Sequence, residues 1–539
     1  MLQPATSVRR KSFILLSLIL AAGLALRGYL LLASGKYVDG DEAMVGIQAL
    51  DILRGRHSVF FAGELLAGSL EAYLVAPVFW LFGASAVTLR VVPLAFSLVF
   101  VWLNYHLANR AYGAPTGLLS ALLVALGPLP LTVLSLKTWG GYIETAALGE
   151  AALLLTMAVL PRPRGDGRAR GYVALIGLIS GVATWMHPLY FYYLFTVGVV
   201  LLVWRFWRNW LDIPMFAAPF LLGSAPLWLG YLSQTQGPAA SSVAGLAPAD
   251  ALWPAVRTSL SYLVTDALPS VGGLRPIKGP MVWSAAVIVV PVYLAGIVCV
   301  VRRYFADRGG DRQNLGRVLL VFLLLSPFIF VAGALTNGNY TVIIPDSGLL
   351  SRYLTPLYTV LPIFVAALAW RAARQAWWRP TLLIAVVVGV NVWSHFAYDP
   401  VASMRSPFEN VPLPASNSDL TGFLQTQNIH FAYSTHWIGY RVMFDTHLDV
   451  QTYDYVESTY GVNRLARASA AVEASPEPPA FILFNPRWKT PPPLESQLQQ
   501  LGVTYRKGEL TDYVVYYGLS RRVRPSEVTG ALVWPYWYS

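Results

Sequence analysis

The run SFILLSLILAAGLALRGYLLLA (residues 12–33), preceded by Arg9-Arg10-Lys11 and followed by SGKYVDGDEA (residues 34–43), decides how the rest of the chain is read. About 20 apolar residues in an α-helix cross the hydrocarbon core of a bilayer, and this run is long enough to do so. Ala33-Ser34-Gly35 would also suit signal-peptide cleavage. The length of the run and Arg27 inside it favour an uncleaved anchor instead. Similar runs recur at 86–108, 114–135, 141–160, 171–187, 189–204, 211–231, 281–301, 318–335, 350–370 and 380–397. With the first they predict eleven spans. Composition agrees: 55% of the 539 residues are hydrophobic and only 12% charged, roughly half the charged share of a soluble domain. That excludes a protein that is water-soluble throughout. Cys299, the one cysteine, lies in an apolar run, so no disulfide forms within the chain. This suits a prokaryotic envelope better than a secreted, disulfide-stapled module.

The net charge of +11 points to membrane topology rather than to nucleic acid, because Lys and Arg gather in cytoplasmic loops. With the N-terminus inside, the inner loops hold Arg110, then Arg162, Arg164, Arg168 and Arg170, then Arg205 and Arg208. Arg302, Arg303, Arg308, Arg312 and Arg317 follow, and then Arg371, Arg374 and Arg379. The reading is a multi-pass protein of the inner (cytoplasmic) membrane, N-terminus cytoplasmic and C-terminus outside. The transmembrane module covers 1–398, with a long first outer loop at 35–85. Its apolar stretch Ala67–Gly83, carrying Glu71, reads as an interfacial helix, since counting it as a span would invert every later loop. Residues 399–539 read as a soluble extracytoplasmic α/β domain: helices at Leu420–Gln427 and Leu494–Leu501 alternate with strands at Phe431–Tyr433, Ala480–Phe484 and Tyr513–Tyr517.

Asp39, Asp41 and Glu42 stand just outside the first span, in a chain with only 28 acids. One reading is local: Asp39 as the N-cap and Glu42 at N3 form a capping box, opening a helix from Asp41 to about Arg54 with Met44, Ile47 and Leu50 on its apolar side. The other is chemical and compatible with it. Asp41 would act as a general base, taking a proton from an acceptor hydroxyl or amine while a sugar leaves a phosphate. A cation must then stabilise the phosphate. Arg352, with Tyr353, is the candidate, against a snorkelling interface residue; Lys137, Arg275 and Lys278 are further cations near outer span ends. Glu144, in the turn Lys137-Thr138-Trp139-Gly140-Gly141-Tyr142-Ile143-Glu144, Glu71, and His187, a type of residue at such a turn more often structural than a ligand, complete the polar residues at that level. The acidic cluster leaves a divalent metal open. His436 and His447 have no metal-ligand spacing. No phosphate-binding glycine loop, G-x-S-x-G, H-E-x-x-H or paired C-x-x-C is present.

At Gly40-Asp41-Glu42 the chain resembles the GT-C glycosyltransferases, and within them the protein O-mannosyltransferase and aminoarabinose transferase group, similar to glycosyltransferase family 39. The Asp-Glu pair after the first span, the long first outer loop, the Arg-Tyr pair opening a late span and the extracytoplasmic C-terminal domain carry the likeness. So do Gly68-Ser69-Leu70-Glu71-Ala72-Tyr73 and Gly140-Gly141-Tyr142-Ile143-Glu144-Thr145, which resemble stretches of uncharacterised bacterial members. The resemblance implies an α-helical GT-C membrane fold and an inverting transfer from a polyprenyl-phosphate-linked sugar. Asp41 would be the catalytic carboxylate, Glu42 its neighbour, and Arg352 the contact to the carrier phosphate. Two departures stand out. Ala43-Met44-Val45 follows the acidic pair where aminoarabinose transferases carry an arginine and a tyrosine, and the tail does not resemble a β-trefoil.

The expected partners are a lipid-linked sugar donor, membrane lipid and a glycan, lipid or protein acceptor, with no nucleic acid. The rival readings are a lipid or sugar transporter or flippase, and a non-catalytic envelope assembly protein. A transporter calls for ionisable residues near mid-membrane. Here span interiors are nearly free of charge, with Glu150 and Arg27 the main exceptions, and the polar residues gather at one level.

Overall fold

The computed structural model describes residues 4–34, 37–62, 67–163, 165–207, 209–233, 249–274, 280–306, 311–336, 349–373, 376, 378–397, 404, 414, 416–455, 464–484 and 494–528. Arg275, Lys278 and the aromatic ending Trp534–Tyr538 lie outside them. The chain divides into two compact units, one built from Met1–Ala33, Val92–Lys137 and Gly141–Ser403, the other from Ser34–Val91, Thr138–Gly140 and Met404–Ser539.

Among the described residues, eight helices are long and apolar enough to cross a membrane: Arg10–Ala33, Ala86–Tyr112, Tyr142–Val159, Gly167–Met186, Pro188–Phe206, Leu315–Gly333, Arg352–Ala373 and Trp378–Phe396. Asp212–Gly223 and Ala225–Ser233, bent by 55° to each other, make a ninth if they are one span. The eleven spans read from the sequence are therefore not all found as such. The segment 281–301 lies within one continuous helix of 27 residues, Pro280–Ala306. The segment 114–135 is interrupted, with one helix at Ala114–Ala125 and a second at Leu129–Leu134. Gly127-Pro128 is the reason, because the residue before a proline is pushed out of the helical region and the proline has no N–H to donate.

Such a break leaves carbonyls and amides that must find partners within an apolar unit. Arg27, buried in the first span, supplies them: Nη1 donates to Ala125 O at 2.9 Å and Nη2 to Val124 O at 3.4 Å. From the helix Trp378–Ala397, Asn391 Nδ2 donates to Leu126 O at 3.0 Å, and Ser394 Oγ accepts from Leu129 N–H at 3.0 Å. The cation thus sits on the carbonyl end of a helix, where the backbone dipoles favour it. Glu150, like Arg27 an ionisable residue inside a span, is also held: Asn104 Nδ2 donates to it at 2.8 Å and to Thr359 O at 3.0 Å, while Ser120 Oγ donates to Asn104 Oδ1.

The second unit is built on a five-stranded sheet of order β2-β1-β3-β5-β4. β1 is Phe431–Ser434, β2 Gln451–Asp454, β3 Ala480–Phe484, β4 Arg506–Glu509 and β5 Tyr513–Tyr517. β1 runs parallel to β2 and β3, and β5 antiparallel to β3 and β4. Alternate residues along a strand face opposite sides, and here both sides are covered. Ala432, Ile482 and Val515 pack with Leu420 and Leu424 of the helix Ser418–Thr426 and with Ile438 and Val442 of His436–Asp445. Tyr433, Phe481, Leu483, Val514 and Tyr516 pack with Val472 of Ala466–Glu473 and Leu494 and Leu498 of Leu494–Gln500. The expected strands and the two expected helices are found with bounds within two residues. Helices at His436–Asp445 and Ala466–Glu473, and the strands β2 and β4, are additional.

The same unit contains the first-loop helices Gly40–Leu53 and Leu70–Phe82. The second, 13 residues long, reaches only about 20 Å and cannot span a bilayer. Its last turn exposes Trp80, Leu81 and Phe82, as suits an interfacial helix. The helix Gly40–Leu53 packs on the helix His436–Asp445 at very short range: a Cβ on Gly46 would lie 2.5 Å from the Phe444 ring.

Arg27→Leu keeps the apolar volume of the first span but strips the donors from Val124 and Ala125. It is expected to destabilise the protein by about 1–3 kcal/mol, read as a lower thermal midpoint in detergent. A midpoint equal to the native one would remove Arg27 from this role.

Candidate active site

The acidic cluster opens the helix Gly40–Leu53 as a complete capping box. Asp39 Oδ1 accepts from Glu42 N–H at 2.8 Å, and Glu42 Oε2 accepts from Asp39 N–H at 3.4 Å. Two of the amides left open by the first helical turn are thereby satisfied. Beyond this local pattern, both acids are fully buried and take further donors. Trp139 Nε1 lies 3.2 and 3.1 Å from the two oxygens of Asp39. Glu42 is gripped by Arg90, which donates from Nε to Oε1 and from Nη2 to Oε2, each at 2.7 Å. The remaining Arg90 donors go to Ser34 Oγ at 2.9 Å and to Tyr37 O at 2.8 Å. Arg90 and Glu42 have no exposed side-chain surface. Next to them the Tyr37 ring lies under the Arg441 guanidinium, 4.6 Å from centroid to Cζ. Burial raises the Tyr37 phenol well above its ordinary range, Arg441 opposing it.

Asp41 stands apart from its two neighbours. It lies in the first turn of the same helix, where the backbone dipoles favour a negative charge, and its side chain is 24% exposed. His436 Nε2 lies 3.4 Å from Asp41 Oδ1, and Arg464 Nη1 lies 3.6 Å from the same oxygen. Gly40 makes this approach possible, since a Cβ there would sit 2.8 Å from His436 Cδ2 and Nε2. The His436 ring is itself fixed edge-on between Trp437 and Tyr440, at 4.5 and 4.9 Å between centroids. Glu71, buried in the helix Leu70–Phe82, accepts from Gly140 N–H. Glu71 and Asp39 thus hold the Trp139-Gly140 turn from two sides.

The other candidate residues lie in the membrane unit. The Arg352 guanidinium stands over the Tyr142 ring at 5.7 Å and over Tyr353 at 5.1 Å, and Nη2 donates to Tyr353 Oη at 3.1 Å. His187 packs on the other partner of that group, its ring 4.5 Å from Tyr142, while Nδ1 accepts from Leu189 N–H at 3.1 Å. Arg352, Tyr353, Tyr142 and His187 therefore form one cluster around Tyr142. Glu144 is buried in the first turn of Tyr142–Val159, and neither carboxylate oxygen meets a hydrogen-bond donor among the described residues. Lys137 is buried as well.

Of the sequence candidates, the structure brings Asp41, Glu42 and Glu71 into one unit and Arg352, Tyr353, Lys137, Glu144 and His187 into the other. Among the described residues no group of three or more His, Cys, Asp or Glu side chains is placed to hold a metal ion. Sequence reasoning missed Arg90, Arg464 and the part of His436. Arg90 carried a usable signal, a charge inside an apolar run; Arg464 carried none.

No family model matches the chain, and no curated protein matches it in sequence. Solved structures do match. The crystal structure of ArnT from Cupriavidus metallidurans bound to undecaprenyl phosphate is 14% identical, with 93% of this chain and 97% of that chain covered and a TM-score of 0.62. The same protein in its apo state matches equally well. The chain has the GT-C fold. The Archaeoglobus fulgidus oligosaccharyltransferase in complex with zinc and sulfate is more distant, 12% identical over 93% of this chain and 72% of that one, at a TM-score of 0.50. With 93% of this chain covered, the likeness extends over both units.

Arg90→Ala would leave the Glu42 carboxylate buried and unpaired, a loss of about 3–5 kcal/mol. The expected result is a steep drop in folded yield and thermal midpoint. Glu42→Gln, which keeps the shape and removes the charge, should do less harm than Arg90→Ala; equal stability of Arg90→Ala and the native protein would contradict the geometry.

Proposed function

We propose that this protein is a membrane glycosyltransferase that moves a sugar from a polyprenyl-phosphate-linked donor to an extracytoplasmic acceptor. The single observation that carries the reading is the contrast within the acidic cluster. Asp39 and Glu42 are buried and committed to hydrogen bonds, whereas Asp41, between them in sequence, is partly exposed at a rigid helix start and faces a histidine and an arginine. A carboxylate held in that way is suited to proton abstraction. The fold supports the donor class, because the ArnT structure of the same fold is bound to undecaprenyl phosphate.

In this reading Asp41 takes the proton of the acceptor hydroxyl or amine as the acceptor atom bonds to the anomeric carbon and the phosphate leaves with the electron pair of the broken C–O bond. Attack opposite the leaving group inverts the anomeric centre. Glu42 acts through its grip on Arg90, which fixes the helix start, and not as a second base. Arg352 is assigned to the phosphate of the carrier, since a planar guanidinium backed by two aromatic rings presents a preset fork to an anion. Lys137 is a supporting cation. Glu144, His187 and Glu71 are assigned to the substrate surroundings, Glu71 through the Trp139-Gly140 turn. The basic inner loops favour an inner-membrane protein with the N-terminus in the cytoplasm and the C-terminal domain outside.

The test is purified protein in lipid vesicles, supplied with a panel of radiolabelled polyprenyl-phosphate sugars. Native protein is expected to release or transfer label from at least one of them, and Asp41→Asn to lower that rate by about 100-fold or more. Full activity of Asp41→Asn would remove the central residue. No turnover with any donor would favour transport or a scaffolding role.

A further inference from the structure

Asp41 belongs to the first loop, but the groups that face it come from the far end of the chain. His436 opens the helix His436–Asp445, and Arg464 precedes the helix Ala466–Glu473. Both point to one oxygen, Oδ1, at 3.4 and 3.6 Å. Their exposures are graded: the side chain of His436 is 9% exposed, Arg464 18% and Asp41 24%. Asp41 is thus the most exposed of the three and His436 the least. The imidazole is not free to swing, since Trp437 and Tyr440 pack edge-on against it and Gly40 leaves room for nothing larger than a hydrogen beside Nε2.

We propose that His436 is a positioning residue for the Asp41 carboxylate, assisted by Arg464, so that the C-terminal domain completes the catalytic site rather than only recruiting an acceptor. The inference rests on the glycosyltransferase reading above. An imidazole donating from Nε2 to Oδ1 fixes the plane of the carboxylate and keeps its charge where an acceptor hydroxyl can hand over its proton. Arg464 adds a positive charge that favours the ionised acid. His436 touches no reacting atom in this scheme; it acts through Asp41, and its removal should change the rate of the chemical step and leave donor binding alone.

The experiment compares His436→Gln with His436→Met in the full-length protein in vesicles, using the donor found active with the native chain. Glutamine places an N–H donor near the position of Nε2, and methionine has similar bulk without one, so packing is matched and only the hydrogen bond differs. His436→Met is expected to lose roughly 10- to 100-fold in kcat, the scale of a misplaced catalytic group, with the donor KM within about twofold of native by the same reasoning. His436→Gln should recover most of kcat. Native kcat in His436→Met, or an equal fall in both variants, would overturn the proposal. These outcomes separate from failure of the underlying reading: an active Asp41→Asn removes the base itself, whereas an inactive Asp41→Asn beside a fully active His436→Met removes only the role of His436.

Discussion

The buried pair of Glu42 and Arg90 is the constraint on which the candidate site depends. Two ions without exposed surface are tolerable only when each finds its counter-charge and its polar atoms find partners, and here each guanidinium nitrogen donates at least one hydrogen bond. Arg90 places two hydrogen bonds on Glu42 and spends the others on Ser34 and the Tyr37 carbonyl. Glu42 in turn closes the capping box with Asp39. The start of the helix Gly40–Leu53 is therefore pinned to the polypeptide on either side of it. Asp41, in the same turn, inherits that rigidity without sharing the burial. An ion pair of this kind adds little net stability over a well-packed apolar alternative, but it selects one arrangement, because any displacement of the helix would leave a charge unpaired.

The membrane unit follows the same rule with a different currency. Its interrupted segment at Gly127-Pro128 exposes backbone groups that an apolar surrounding cannot satisfy, and Arg27, Asn391 and Ser394 do so instead. Arg27 and Glu150 are ionisable residues inside spans, of the kind a transport mechanism would recruit. Arg27 is engaged in holding a helix end, and Glu150 accepts from an asparagine that also bonds Thr359. The polar groups assigned to the proposed chemistry are elsewhere, around Tyr142 and at Asp41.

Much of this was legible in the sequence, and what was legible is local. The capping box could be read because its partners are three residues apart, and the spans because apolarity over 20 residues needs no tertiary information. The short helix Leu70–Phe82 was set apart from the spans by the charge alternation on either side of it. The interrupted segment was read through because Gly127-Pro128 sits within an otherwise continuous apolar run. The helix His436–Asp445 escaped because His436 to Phe444 are all buried, which erases the one-sided stripe by which a surface helix announces itself. With the helix unseen, His436 looked like an isolated tail histidine. Its place beside Asp41, and that of Arg464, arise from chain segments about four hundred residues apart in sequence, a pairing that no local pattern encodes.

The account makes Asp41 a working group and Glu42 a structural one, although the two are adjacent acids in one helical turn. The most direct measurement takes the transfer rate and the thermal midpoint of Asp41→Asn and Glu42→Gln from the same vesicle preparations. The account predicts that Asp41→Asn loses the rate and keeps the midpoint, while Glu42→Gln lowers the midpoint and retains transfer in the fraction that stays folded. An active Asp41→Asn beside a stable, inactive Glu42→Gln would exchange the two roles and contradict it.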